Sequence, residues 1–326
     1  MKKRISIIGA GNMGTAMALV LADNGYNVKC WDINDKVVKG INEKHENKLF
    51  LPGVRLPKNI IATGDIKQAV YFSNVLILSV PSQFLRSTLR MIPKEDLQYE
   101  ILVNCAKGID LKTGQFMSEI VAEELGVNSQ KVIADLSGPS IANELIKKTP
   151  TAIMVASKNE QVLGFLQNIF NNDYFKVHPS TDVIGTELGG VMKNIYSVAI
   201  GIADSLMDSM NTRALLLTQG LSEMTELGLK MGATKEVFYS LSGIGDLIAT
   251  CLSTDSRNHR FGQLLGKGKS VEEAQKKVKQ VTEGYFATKA IHHLAKKHGV
   301  KLPLADNMYQ ILYNKKDPKK YLLKDL

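Results

Sequence analysis

The chemistry open to this 326-residue chain starts at Lys193, in the segment Glu187-Leu188-Gly189-Gly190-Val191-Met192-Lys193-Asn194. On a helix its i−4, i−3 and i+4 neighbours are Gly189, Gly190 and Ser197, and Gly201 extends this small surface, although Ile200 shares it. Small neighbours leave room for something to approach the helix backbone. A lysine held there, partly desolvated, loses its proton near neutral pH and can act as a base. A plainer reading competes. Leu188, Val191, Ile195, Val198 and Ile202 form one apolar stripe, and Lys193 lies opposite it, where a solvated lysine is expected. Arg257 offers a planar fork, with Ser256 and Asn258 beside it at a predicted helix start, a combination suited to phosphate. A solvated helix end explains Arg257–Arg260 as simply. Asp246 follows the turn-like Gly243-Ile244-Gly245, and a helix cap is its plain alternative.

A second constellation is Gly9-Ala10-Gly11-Asn12-Met13-Gly14. Its G-x-G-x-x-G spacing is weak alone, but it lies between a predicted strand and helix, and Asp32 ends the next predicted strand. That context is the dinucleotide fingerprint. The first glycine permits the tight turn, the second admits the pyrophosphate, and the third lets helix and strand pack closely. A carboxylate at Asp32 accepts hydrogen bonds from ribose hydroxyls and repels a 2′-phosphate, so NAD is expected over NADP, with Lys36 softening the preference. The alternatives are a structural glycine turn and a carboxylate that serves only as a turn or cap residue.

The elements that must position these groups follow from hydrophobic pattern. Ile5–Ile8, Tyr26–Trp31, Val75–Val80, Ile101–Cys105, Lys131–Leu136 and Thr151–Val155 read as buried strands, with helices such as Gly64–Ser73 and Thr113–Leu125 between them. Alternation of this kind implies an α/β fold with a Rossmann-type, doubly wound parallel sheet. Beyond about residue 180 strand signals nearly vanish. Asp182–Met207, Arg213–Leu229, Val271–Val278 and Thr288–His298 read as helices, so an all-helical second domain is expected. The predicted division is 1–180 for the dinucleotide-binding domain and 181–326 for the helical substrate and catalytic domain.

Composition narrows the classes. Hydrophobic residues make up 44% and charged residues 22%, which is globular rather than disordered. The net charge of +9, from 41 Lys+Arg against 32 Asp+Glu, suits nucleic acid or small anions equally. The basic residues are scattered apart from clusters such as Lys276-Lys277 and Lys315-Lys316, and charge alone does not choose between these partners; Ser256-Arg257-Asn258 argues for a small phosphorylated substrate, and no nucleic-acid partner is expected. Cys30, Cys105 and Cys251 form no C-x-x-C pair, so neither a zinc site nor a disulfide framework is indicated, and a reducing cytoplasm fits. The six histidines give no metal pattern. Met1-Lys2-Lys3-Arg4 and the apolar stretch after it imitate a secretory signal, but Gly9, Gly11, Asn12 and Gly14 interrupt it. No apolar run reaches the roughly 18 residues of a membrane span.

In unbroken order from about residue 4 to 315, the chain resembles the bacterial form of the NAD(P)-dependent glycerol-3-phosphate dehydrogenases. The resemblance rests on Leu51-Pro52-Gly53-Val54, Val80-Pro81-Ser82, Cys105-Ala106-Lys107-Gly108 and Ser137-Gly138-Pro139-Ser140. In the second half it rests on Glu187–Asn194, Gly243–Leu247, Thr250-Cys251, Ser256-Arg257-Asn258-His259-Arg260-Phe261-Gly262 and Glu283-Gly284. It implies an oxidoreductase moving hydride between NAD or NADP and dihydroxyacetone phosphate or sn-glycerol 3-phosphate, supplying glycerophospholipid synthesis. By the same resemblance Lys193 is the proton acceptor, Lys107 lies beside substrate and cofactor, and Asn194 and Asp246 fix the lysine. The substrate would also meet Gly138, Ser140, Ser256, Arg257 and Asn258. The cofactor would meet Gly9, Gly11, Asn12, Met13, Gly14, Asp32, Lys107, Ala142, Arg257, Val281 and Glu283. A homodimer is compatible with this reading.

Three features depart from the family pattern: Asn12-Met13 within the glycine turn, Gln219 where arginine is common, and Leu206–Met210 without a glycine-rich segment. The competing functions are a related two-domain dehydrogenase for another small phosphorylated or hydroxy-acid substrate, and a non-catalytic dinucleotide sensor. The sensor gives no reason for Lys107, Lys193, Asp246 and Arg257 to occur together.

Overall fold

The computed structural model describes residues 4–93, 100–253, 256–278 and 281–326. Eight strands, β1 (Arg4–Ile8), β2 (Asn27–Trp31), β3 (Ile60–Thr63), β4 (Val75–Leu78), β5 (Ile101–Asn104), β6 (Ile133–Ser137), β7 (Thr151–Ala156) and β8 (Phe175–Ser180), form one sheet. Their order is β3-β2-β1-β4-β5-β6-β7-β8, and every pairing whose register is described is parallel. The central strands are apolar on both faces, as a covered parallel sheet requires. Ile5, Ile7, Val28 and Ile77 join one core, whereas Ile8, Trp31, Leu76 and Leu78 join the core on the opposite face. The strand order reverses between β1 and β4, the place where open α/β sheets bind ligands. At that point Gly9 has φ +102°, and a Cβ on it would lie 2.9 Å from the Ser79 carbonyl.

Two strands escape the sequence reading. β3 is short, and β8 alternates buried Phe175 and Val177 with exposed Lys176 and His178, so it lacks the continuous apolar run used to find the others. β8 is an edge strand, which also explains why it tolerates Pro179. Several helix bounds differ as well. The helix expected over Thr113–Leu125 spans Met117–Leu125, that over Gly64–Ser73 spans Ile66–Val70, and that over Thr288–His298 begins at Glu283.

The chain divides into two units. The first comprises Met1–Ala106, Met117–Leu136 and Ser140–Val183; the second comprises Lys107–Phe116, Ser137–Pro139 and Ile184–Leu326. Two short segments from the sheet-forming half thus pack with the helices, which pattern along the sequence does not reveal.

The second unit is built around the Val183–Met207 helix, whose residues from Leu188 to Ala203 are all buried. A helix buried on every side belongs to a core rather than to a surface. The expectation of one apolar stripe with a solvated Lys193 opposite therefore fails. Glycines bring a second helix, Arg257–Gly266, against its backbone. A Cβ on Gly201 would sit 2.1 Å from the His259 carbonyl oxygen, and one on Gly262 2.1 Å from the Val198 carbonyl oxygen. Gly201→Ala should overpack this crossing and cost about 1–3 kcal/mol. The urea midpoint followed by far-ultraviolet circular dichroism measures this, and an unchanged midpoint would mean the helices separate freely.

Candidate active site

Asp246 is 1% exposed and is the first residue of the Asp246–Leu252 helix, directly after a π-helical turn over Leu241–Gly245. Its Oδ2 accepts from Lys107 Nζ at 2.7 Å, from the Gly138 backbone N–H at 3.2 Å and from Ser137 Oγ at 3.4 Å. Its Oδ1 accepts from Lys193 Nζ and, at 3.3 Å, from Thr250 Oγ1. One carboxylate therefore holds two ammonium groups. All these residues lie in the second unit.

The small surface beside Lys193 is filled by the chain itself. A Cβ on Gly190 would meet Ser137 Oγ at 2.9 Å and the Lys107 side chain at 3.4 Å, and one on Gly189 would meet the Ser242 carbonyl oxygen at 2.4 Å. Glycine at both places is what lets the Lys107 stem and the π-helical turn reach the helix. Burial is the main force lowering the Lys193 pKa, the Lys107 charge adds to it, and Asp246 opposes both; the balance brings it to about 7. Burial alone would raise the Asp246 carboxyl, but Lys107 and Lys193 outweigh it and hold the group below the usual carboxylate range. Asp246 thus stays ionised while Lys193 exchanges a proton near neutrality, as a general base requires.

Asn194 follows Lys193 on the same buried helix. It sits about 100° from Lys193 around the helix axis, and its Nδ2 donates to the Gly190 carbonyl at 3.1 Å while its Oδ1 accepts from Asn258 Nδ2 at 2.8 Å. Asn258 Oδ1 in turn accepts from the Gly284 N–H at 3.0 Å, so two amides join three helices. Ser256 caps the Arg257–Gly266 helix by accepting from the His259 N–H at 3.2 Å, and its Oγ lies 2.9 Å from Ser197 Oγ. Arg257 is exposed and donates to the Val281 carbonyl at 3.3 Å. Glu283 begins the next helix.

In the first unit, the Asn12–Asp23 helix starts at Gly11 with no side chain capping its N-terminus. A Cβ on Gly11 would meet nothing within 4 Å, whereas one on Gly14 would lie 1.9 Å from the Gly9 carbonyl oxygen. Uncapped N–H groups beneath open space fit the diphosphate of a dinucleotide. Asp32 ties the turn to β2, its Oδ2 accepting from the Ala10 N–H at 3.0 Å and its Oδ1 from the Asn34 N–H at 2.9 Å. Burial raises its pKa, and these two N–H groups counter the rise. Asn12 donates to the Phe50 carbonyl at 2.8 Å. Met13 and Ala142 pack against the core of this unit, and Ser140 lies in it too.

Sequence reasoning passed over several polar residues. Asn47, 1% exposed, donates to the Ala10 carbonyl at 2.8 Å and to Thr15 Oγ1 at 2.9 Å, fixing the glycine turn from a loop. Glu223, also 1% exposed, accepts from the Leu304 and Ala305 N–H groups at 2.6 and 3.1 Å, from Tyr196 OH at 3.1 Å and from Gln219 Nε2 at 3.1 Å. Gln219 is thereby a partner of a buried carboxylate. A buried Asn or Glu reached over such sequence distances leaves no local pattern to detect. Among the described residues no single helix is long and apolar enough to cross a membrane.

The NAD-dependent glycerol-3-phosphate dehydrogenase N-terminal family matches residues 4–163, and the corresponding C-terminal family matches residues 182–323. The glycerol-3-phosphate dehydrogenase (NAD(P)+) of Moorella thermoacetica is 42% identical over 316 residues, covering 97% of this chain and 93% of that protein. That of Geobacillus kaustophilus is 42% identical over 318 residues, covering 97% and 92%. A crystal structure of glycerol-3-phosphate dehydrogenase from Coxiella burnetii superposes with a TM-score of 0.91 at 36% identity, covering 98% of each chain.

The lowered Lys193 pKa carries a stability signature. Between about 7 when folded and 10.5 when unfolded, the unfolded chain binds the extra proton, so stability rises with pH through that window. Lys193→Met should flatten this rise in urea titrations run across the window. Parallel curves for the two proteins would show that the folded lysine titrates normally.

Proposed function

The chain belongs to the NAD-dependent glycerol-3-phosphate dehydrogenase family, and on that premise we propose that it interconverts dihydroxyacetone phosphate and sn-glycerol 3-phosphate with NAD(P)H. The observation that carries the reading is the pair of ammonium groups on buried Asp246. A nicotinamide, when bound, supplies or takes the hydride at the substrate C2. In alcohol oxidation Lys193, poised near neutrality, accepts the hydroxyl proton; in ketone reduction it returns that proton to the oxygen. Lys107 offsets the negative charge that develops on the same oxygen. Asp246 holds both side chains in place and supplies the charge that lets the two cations share one site.

The first unit would serve the dinucleotide and the second the substrate and the chemistry. Arg257, with Ser256 and Asn258 at the same helix start, takes the phosphate, joined by Gly138 of the same unit. Gly9, Gly11, Gly14, Asn12, Met13 and Asp32 receive the dinucleotide, with Ala142 of the same unit beside it. Each Asp32 oxygen accepts one backbone bond and retains a lone pair for a ribose hydroxyl, which favours NAD. A reducing cytoplasm suits Cys30, Cys105 and Cys251, which form no disulfide among the described residues. The product would supply the glycerol phosphate backbone of phospholipids.

Lys193→Ala should lower kcat in the NADH absorbance assay with dihydroxyacetone phosphate by roughly 10²–10⁴-fold, while NADH fluorescence titration remains as in the parent. Substantial turnover by this variant would overturn the mechanism. Run with each reduced cofactor, the same assay should give a higher kcat/KM for NADH; a clear NADPH advantage would refute the role given to Asp32.

A further inference from the structure

Two consecutive residues that follow Arg257 are tied to separated points on the Lys193 helix. Asn258 Nδ2 donates to Asn194 Oδ1 at 2.8 Å. His259, only 7% exposed, donates from Nε2 to Asp204 Oδ2 at 2.8 Å. Asn194 and Asp204 lie about 15 Å apart along that helix at 1.5 Å per residue. The crossing between the two ties is in backbone contact, since a Cβ on Gly201 would sit 2.1 Å from the His259 carbonyl oxygen. The first turn of the Arg257–Gly266 helix is therefore held at both ends of a long lever and can neither slide nor swivel on its neighbour. Asp204 is itself fixed from a third element. Its Oδ1 accepts from Arg213 Nε at 2.7 Å, and Arg213 also binds Asp208, just before Ser209 caps the Met210–Lys230 helix. The strap thus runs through Leu206–Met210, the segment that departs from the family pattern.

We propose that His259 is a positioning residue for substrate phosphate. Its bond to Asp204 sets the direction of the helix start that presents Arg257, Ser256 and the first backbone N–H groups. The inference rests on the phosphate role given to Arg257 above. His259 touches neither Lys193, Lys107 nor Asp246, so its loss acts on substrate capture and leaves the proton and hydride steps intact. A side chain that merely stabilised the fold would, when removed, reduce the active fraction and hence kcat, and would leave KM alone.

The test measures KM and kcat for dihydroxyacetone phosphate with NADH in His259→Leu, His259→Gln, Asp204→Asn and Arg257→Ala, with NADH affinity alongside. Losing one charge-assisted bond corresponds to about a 10-fold change. His259→Leu should raise KM by about that factor with kcat within about 2-fold and NADH affinity unchanged. His259→Gln, whose amide can still donate to Asp204, should restore KM. Asp204→Asn keeps the shape but removes the charge, and should raise KM as His259→Leu does, which preserves the test if the leucine variant does not fold. A parental KM in His259→Leu, or in Asp204→Asn where the leucine variant does not fold, overturns the proposal; so does a loss confined to kcat, or a Gln variant no better than Leu. If these results coincide with a raised KM in Arg257→Ala, the phosphate reading survives and only the role of His259 falls. A parental KM in Arg257→Ala removes both.

Discussion

The second unit is organised by a charge that has no access to water. Asp246 is taken out of solvent, at a cost that stays tolerable only because two cations, a backbone N–H and two hydroxyls converge on its oxygens. Thr250 stands on the same helix as Asp246, but Lys107, the Ser137-Gly138 pair and Lys193 come from three distant stretches, so satisfying one carboxylate gathers them all. Reactivity follows from the same arithmetic of charge. Two ammonium groups face one carboxylate, so one positive charge is in excess, and burial lowers the pKa of Lys193.

Gathering those groups requires backbones to come closer than side chains normally allow. Glycine meets this need on several sides of the Lys193 helix: Gly189 and Gly190 admit the π-helical turn and the Lys107 stem, Gly201 meets Gly262 of the Arg257 helix at their crossing, and Gly284 lies beside Asn194. Such contacts leave little freedom for the helices to shift. The geometry around Asp246 is accordingly tied to the packed core of the second unit.

How much of this is legible along the sequence depends on whether a signal is local. Strands buried on both faces are written as apolar runs, and β1, β4 and β7 are easily read; β8, half exposed at the sheet edge, is not. The glycine turn is legible because three residues within one hexapeptide carry it. Lys193 was identified through its glycine neighbours, but the burial that changes its acidity comes from residues more than fifty positions away, and no periodicity records it. Asn194 illustrates the same point: its bond to Asn258 spans 64 positions and has no local signal. Asn47, Glu223 and the Asp204–His259 pair are fixed chiefly by partners tens of residues away, which their own surroundings do not mark.

The two excursions of the chain, Lys107–Phe116 and Ser137–Pro139, into the helical unit bear on how the protein can be inherited and rearranged. A fragment encoding only residues 184–326 would retain Asp246 and Lys193 but lack Lys107, Ser137 and Gly138. Its buried anion would keep a single cation. The helical half is therefore not self-contained: moved onto another nucleotide-binding half, it would need counterparts of Lys107, Ser137 and Gly138 to complete its buried carboxylate.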